Sequence, residues 1–158
     1  MLPSPAITEE DGKVVIGSCP FGVPIPYRQN GALIGKGKID GDLNVMGSSY
    51  NTIDLQVEVS GEAYFNGLTA MDATFHNSRF QRNFDLHGAH LNKINLRGVH
   101  VDGILCLDDV VIKSCQGAAS LVLGQGYTSN EGTKLPSSLK RALRKYERIE
   151  TPKYATIH

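Results

Sequence analysis

The sequence has no tryptophan and only three cysteines in 158 residues. Cys19, Cys106 and Cys115 are odd in number and unevenly spaced, so they make neither a disulfide framework nor a thiolate zinc site, and Cys106 reads as a small core residue. No apolar run approaches about 18 residues, and none therefore reads as a membrane span. The first residues, MLPSPAITEEDGK, lack a basic stretch followed by an apolar one and do not read as a secretory signal. A cytoplasmic location is expected, or delivery to a host cell without a classical signal peptide. Signatures of catalysis are missing as well. There is no HExxH, no Gly-x-Ser-x-Gly and no Gly-rich phosphate loop. GKGKIDGD lacks the strand-loop-helix setting that would give it an anion site and reads as a turn. No enzyme, cofactor or metal is expected.

What is present is a repeat. From Phe84 the chain reads in fives: FDLHG, AHLNK, INLRG, VHVDG, ILCLD, DVVIK. The third positions, Leu86, Leu91, Leu96, Val101, Cys106 and Val111, are all apolar. The residues two before them are Phe84, Ala89, Ile94, Val99, Ile104 and Asp109, small or apolar except for the last. A helical period of 3.6 would scatter these positions, and a period of 2 would alternate them in and out after each unit. A period of five keeps them inward only if the chain turns a corner in every unit, and four corners close a coil of about 20 residues. Extended backward, the third positions become Val45, Tyr50, Leu55, Ser60, Phe65, Ala70, Phe75 and Phe80. Ser60 alone fails, and Val57 and Val59 beside it suggest a bulge. Asn83 is one residue too many, which lengthens the coil to 21 across that point. With this correction Val45, Phe65, Leu86 and Cys106 form one column, Leu55, Phe75 and Leu96 a second, and Gly47, Gly67 and Gly88 a third. Glycines stacked at one corner suit a repeated turn with unusual backbone angles. The abundance of glycine, 17 in all, suits such a chain of short strands and tight corners.

This pattern over residues 43–113 resembles the pentapeptide-repeat proteins, whose unit is a small residue, Asn or Asp, Leu or Phe, and two variable positions. Asn44, Asp54, Asp85 and Asn95 occupy the polar position, while Arg79, His90, His100, Leu105 and Val110 depart from it. The resemblance implies a right-handed quadrilateral β-helix. The expected fold is therefore all-β: a short right-handed parallel β-helix with an irregular N-terminal cap and a C-terminal α-helix. Residues 1–38 are read as the cap, 39–125 as about three and a half coils, and 126–158 as a loop, a basic amphipathic cap helix and a tail. Within LPSSLKRALRKYERIE, Ser137 or Ser138 is placed to cap the helix, and Leu139, Ala142, Leu143, Tyr146 and Ile149 form its apolar face.

Some pentapeptide-repeat proteins imitate duplex DNA and occupy type II topoisomerases. Other proteins of this general kind act as binding modules in secreted bacterial effectors, including a β-helix that precedes a ubiquitin-ligase domain. A weaker resemblance, carried by IDGDLNV, is to the bactofilins, whose β-helices polymerise end to end. The charge is zero overall but divided: residues 134–158 hold seven basic and two acidic side chains, a net of +5, leaving −5 on the rest. DNA mimicry needs a dense negative field, and −5 interspersed with basic residues is a weak one. On the repeat register His76, His87, His90 and His100 share no pocket, and Asp108 with Asp109 is the nearest approach to a carboxylate pair. Asp109 would face inward, at a fraying coil end. The leading expectation is a non-enzymatic module, monomer or dimer, that binds a protein partner through rigid outward rows. The binding residues to examine are His76 and Arg97 on one face and Lys140, Arg141, Arg144, Lys145 and Arg148 on the helix, where nucleic acid or an acidic surface could also dock. The alternatives are a DNA-mimicking inhibitor of a DNA-acting enzyme and a polymer-forming structural protein.

Overall fold

The computed structural model describes residues 7–10, 12–25 and 30–150. They form a parallel β-solenoid of about 6 turns with about 21 residues per turn and one short helix near the C-terminus. At roughly 4.8 Å per stacked strand the coil is about 25 Å tall. One wall stacks seven two-residue strands in chain order: Val23–Pro24, Leu43–Asn44, Ala63–Tyr64, Phe84–Asp85, Leu105–Cys106, Tyr127–Thr128 and Arg148–Ile149. The second sheet stacks Lys13–Ile16, Ala32–Ile39, Ser49–Val59, Thr69–Thr74, His90–Asn95 and Val111–Gln116. It branches at Ser49–Val59 into Arg79–Phe80, His100–Val101 and Val122–Leu123. All these pairings are parallel. Among the described residues only Ile7–Glu10 runs antiparallel, on Lys13–Ile16, and lies at that edge.

The five-residue units fold as the pattern requires. In one coil the inward pairs are Phe84 with Leu86, Ala89 with Leu91, Ile94 with Leu96, and Val99 with Val101, all buried. The corners have local causes. At Asn44, Asp85 and Asn95 the side-chain oxygen accepts the backbone N–H two residues on, at Met46, His87 and Arg97. This Asx turn is the reason for Asn or Asp in the second position. Gly47, Gly67 and Gly88 stack in the same corner, just after the Asx position, with φ of 71°, 71° and 68°, a left-handed conformation that glycine adopts without a Cβ clash.

The register differs from simple counting by fives. There is a six-residue step at the fourth corner: Val59 to Phe65, Phe80 to Leu86 and Val101 to Leu107 are successive second members of the inward pairs. Asn83 belongs to that corner and is not an isolated insertion. The middle coils are therefore spaced by 21, with Phe84 pairing to Leu105 and His100 to Arg79, while Val23 pairs with Leu43 and Leu43 with Ala63 at a spacing of 20 and Leu105 with Tyr127 at 22. Counting failed at Ile104-Leu105-Cys106-Leu107 because all four are apolar and two phases fit equally well. Leu105, Leu107, Val110 and Ile112 are the buried residues, and Cys106 and Val111 are half-exposed. Asp109 consequently does not point into the core. It is exposed at a φ of 56° and continues the column of Gly47, Gly67 and Gly88.

The coil from Leu43 to Glu62 changes spacing within itself. Thr74 pairs with Asp54, 20 residues back, but Arg79 pairs with Glu58, 21 back. The later coils place a left-handed residue at this corner, Asn77 at φ 58° and Gly98 at φ 70°, whereas Ser49–Val59 runs through as one continuous strand. No bulge forms at Ser60; Leu55, Val57 and Val59 simply alternate inward. The mismatch leaves backbone groups facing a turn, and Ser78 satisfies them. Its buried hydroxyl donates to the Leu55 carbonyl at 3.0 Å and accepts the Val57 N–H at 3.0 Å. Ser78→Ala should cost about 1–3 kcal/mol, the desolvation of two orphaned groups, measured by equilibrium denaturation.

Residues read as an irregular cap contribute coil strands from Lys13 onward. Their inward residues, Val14, Ile16, Leu33 and Ile39, lie on strands of ordinary alternation, which the period of five does not detect. At the other end the helix covers only Ser137–Leu143. Pro136 occupies its N-cap, and neither serine caps it; Ser138 Oγ instead donates to the Cys115 carbonyl at 3.3 Å. Leu139 and Leu143 are buried against the last coil, Ala142 and Tyr146 pack beside them, and the Tyr146 hydroxyl donates to the Leu121 carbonyl at 2.8 Å. Ile149 is not on the helix, because Arg148–Ile149 returns as the seventh strand of the short wall.

Candidate binding site

Several outward side chains of the coil pair between neighbouring turns. Arg79 reaches Asp102 at 3.0 Å, Lys38 reaches Glu58 at 3.8 Å, His87 Nε2 lies 3.5 Å from Asp109, and His76 Nδ1 lies 3.9 Å from Asp54. These pairs are largely solvent-exposed and add little stability. At the fourth corner the acids serve the backbone: Asp42 accepts the Glu62 N–H, Glu62 accepts that of Asn83, and Asn83 Oδ1 accepts that of Ile104.

His76 and Arg97 occupy the same corner of adjacent coils, where the Asn77 N–H donates to the Arg97 carbonyl at 2.8 Å. Gly117 comes next above them. A Cβ on Gly117 would lie 2.5 Å from the Cα of Arg97, so the two coils touch backbone to backbone there. The helix then packs on Ala118–Ser120. One column thus runs from His76 through Arg97 and Gly117 to the basic helix, joining two groups of residues that the sequence left separate. Lys140, Arg141, Arg144 and Lys145 are exposed, and with Arg97 they have no carboxylate within 4 Å among the described residues. Lys145 Nζ stands 5.4 Å from the Tyr146 ring centroid. Arg148 is different. Its guanidinium donates to Ser129 Oγ and to the Ser129 carbonyl, each at 2.9 Å, and pairs with Glu150 at 3.9 Å, so it clamps the last strand to the one beneath.

Sequence reasoning did not reach Gly117, Ala118 and Ala119, which face Ala142 of the helix across the gap between coil and helix. The CQGAAS stretch carried a signal, a small-residue run where the fives fade, but small residues give no period. His90 and His100 are exposed on different strands, beside Thr69 with Val111 and Arg79 with Val122. Asp108 is buried while Asp109 is exposed, so the two carboxylates diverge. Among the described residues no group of three or more His, Cys, Asp or Glu side chains is placed to hold a metal ion, and no helix is long and apolar enough to cross a membrane.

All three thiols are unpaired. Burial pushes the Cys115 thiol up to about 11. Burial also raises that of Cys106. The thiolate is the reactive form, and about 0.1% of Cys115 would carry it at pH 8. Alkylation of Cys115 by iodoacetamide at pH 8 should run at least tenfold slower than that of a free cysteine and accelerate as pH rises toward 11; a rate matching the free amino acid would contradict the burial.

Comparison with known proteins gives no family model, no curated protein and no solved structure that matches the chain. The class that the fold defines is a parallel β-solenoid with a helical C-terminal cap.

Proposed function

We propose that this solenoid is a non-enzymatic, cytoplasmic binding module of the pentapeptide-repeat kind that holds a protein partner on its rigid outer rows. The observation that carries the reading is the column from His76 and Arg97 to the basic helix, where Arg97, Lys140, Arg141, Arg144 and Lys145 gather on adjoining elements with no carboxylate within 4 Å among the described residues. Hydrogen bonds between successive coils fix the backbone beneath those side chains, so a partner would meet them with little ordering cost. Unpaired thiols suit a reducing compartment. DNA imitation draws less support, because His76, Lys38, Arg79 and His87 break the negative rows. Free end-to-end growth is disfavoured by the antiparallel strand at one end and the helix at the other.

The test is affinity capture from the native cell with the whole protein as bait. A specific protein should be retained by the wild type and lost on charge reversal at His76 and Arg97 together with Arg141 and Lys145, at an unchanged melting temperature. Retention unaffected by those reversals, or no specific retention at all, would sink the assignment.

A further inference from the structure

Between the helix and the corner at Gly117 lies an open cleft of about 430 Å³. Its floor is made of Gly117, Ala118, Ala119 and Ala142, and Arg141 and Lys145 stand at its helical side. The floor is kept low by packing. Gly117 sits directly on the backbone of Arg97, leaving no room there for a side chain. The cleft is also held open: Leu139 and Leu143 root the helix in the core, and the Ser138 hydroxyl ties it to the Cys115 carbonyl. Small apolar surface beside two cations lacking carboxylate partners is a composite of two preferences. The cations favour an anion, most strongly one that guanidinium can grip with two parallel hydrogen bonds. The alanines favour a compact aliphatic group next to it.

We propose that this cleft receives an acidic segment of a partner protein, with one carboxylate between Arg141 and Lys145 and the neighbouring small aliphatic side chain on the alanine floor. The inference rests on the module reading above and names its point of contact. A membrane surface fits less well. A helix that lies in a lipid interface turns large apolar side chains outward, but Leu139 and Leu143 are buried in the coil. Among the described residues, the large apolar side chains that are exposed, Val15, Phe21, Met46, Met71 and Val122, lie elsewhere. Single-stranded nucleic acid would want aromatic rings to stack on. Tyr146, the aromatic residue of this segment, is half-buried with its hydroxyl committed to Leu121.

The test uses the full chain and a fluorescent ten-residue peptide of alternating Glu and Val, read by anisotropy at physiological salt. The same peptide with Gln for Glu, phosphatidylserine vesicles and a random-sequence DNA are the comparison probes. The Glu peptide should bind at least tenfold more tightly than the Gln peptide. Arg141→Glu with Lys145→Glu should remove at least tenfold, and so should Ala119→Trp, which fills the cleft from an exposed position without touching its charge. Lys140→Glu with Arg144→Glu, on the same segment, should change binding less than threefold. Equal losses from the two charge reversals, no effect of Ala119→Trp, or tighter binding of vesicles or DNA than of the peptide would overturn the proposal. A cellular partner still captured by the Arg141→Glu, Lys145→Glu protein would overturn the cleft while leaving the module reading intact. Failure of the wild type to capture any partner strikes the module reading instead.

Discussion

Replacing Phe84 by alanine should lower the unfolding free energy by about 3–5 kcal/mol, seen as a fall in the denaturant midpoint at unchanged slope. Phe84 is fully buried at the centre of a ring cluster. It stacks on Phe80 with centroids 4.2 Å apart and meets Phe65 and Phe75 edge-on at 5.5 and 5.2 Å. Four of the five phenylalanines thus fill adjacent levels of the coil. The cavity cannot close easily, because three of its walls are rings held against strands whose spacing is set by the backbone ladder. Phe21 supplies the control: it is 45% exposed, and its replacement by alanine should stay within about 0.5 kcal/mol. A loss below 1 kcal/mol at Phe84 would mean that the rings are not packed as described.

Leu139→Glu should be comparably damaging, about 4 kcal/mol, for a different reason. Leu139 is fully buried where the helix meets the last coil, and a carboxylate there would have to be desolvated or would lift the helix away. Lifting the helix bares the outer edge of Val111–Gln116 and the apolar residues Ile112, Ala118 and Leu121 beneath it. An exposed strand edge invites pairing with another chain. Light scattering should therefore show concentration-dependent association beyond that of the wild type, and Lys140→Glu, the exposed neighbour, should show none. A Leu139→Glu protein with wild-type stability and scattering would remove the helix from the role of cap.

The coil was legible wherever the corners were polar and the inward pairs apolar, as from Phe84 to Val101. It was misread where chemistry did not distinguish two phases, at Ile104 to Leu107. A clue to the true spacing lay in the fourth corner. Gly61 and Gly103 are 42 residues apart, two coils of 21, and both glycines are demanded by close backbone approach to the coil below. The first coils escaped notice for another reason: Lys13–Ile16 and Ala32–Ile39 alternate in twos, the signature of any strand. The helix was found by its leucine spacing, yet its end was not, because the strand position of Ile149 is fixed by Tyr127 and Thr128 across the sheet and not by its neighbours in sequence. Of the candidate site, the cations were visible and their arrangement was not. Which of them stand unpaired depends on contacts about 20 residues away.

The six-residue fourth corner and the 21-residue pitch bear on how this chain can change. Outward positions contact little and accept many side chains, which explains why the repeat looks worn while the stack remains regular. Length is another matter. Adding or deleting one residue turns every later inward side chain toward solvent until a corner absorbs the difference. The coil from Leu43 to Glu62 records one such absorbed difference, and it took a buried serine from the next turn to accommodate it. The protein is thus free in its letters and strict in its spacing, and whole turns, not single residues, are the units by which it could be lengthened or shortened.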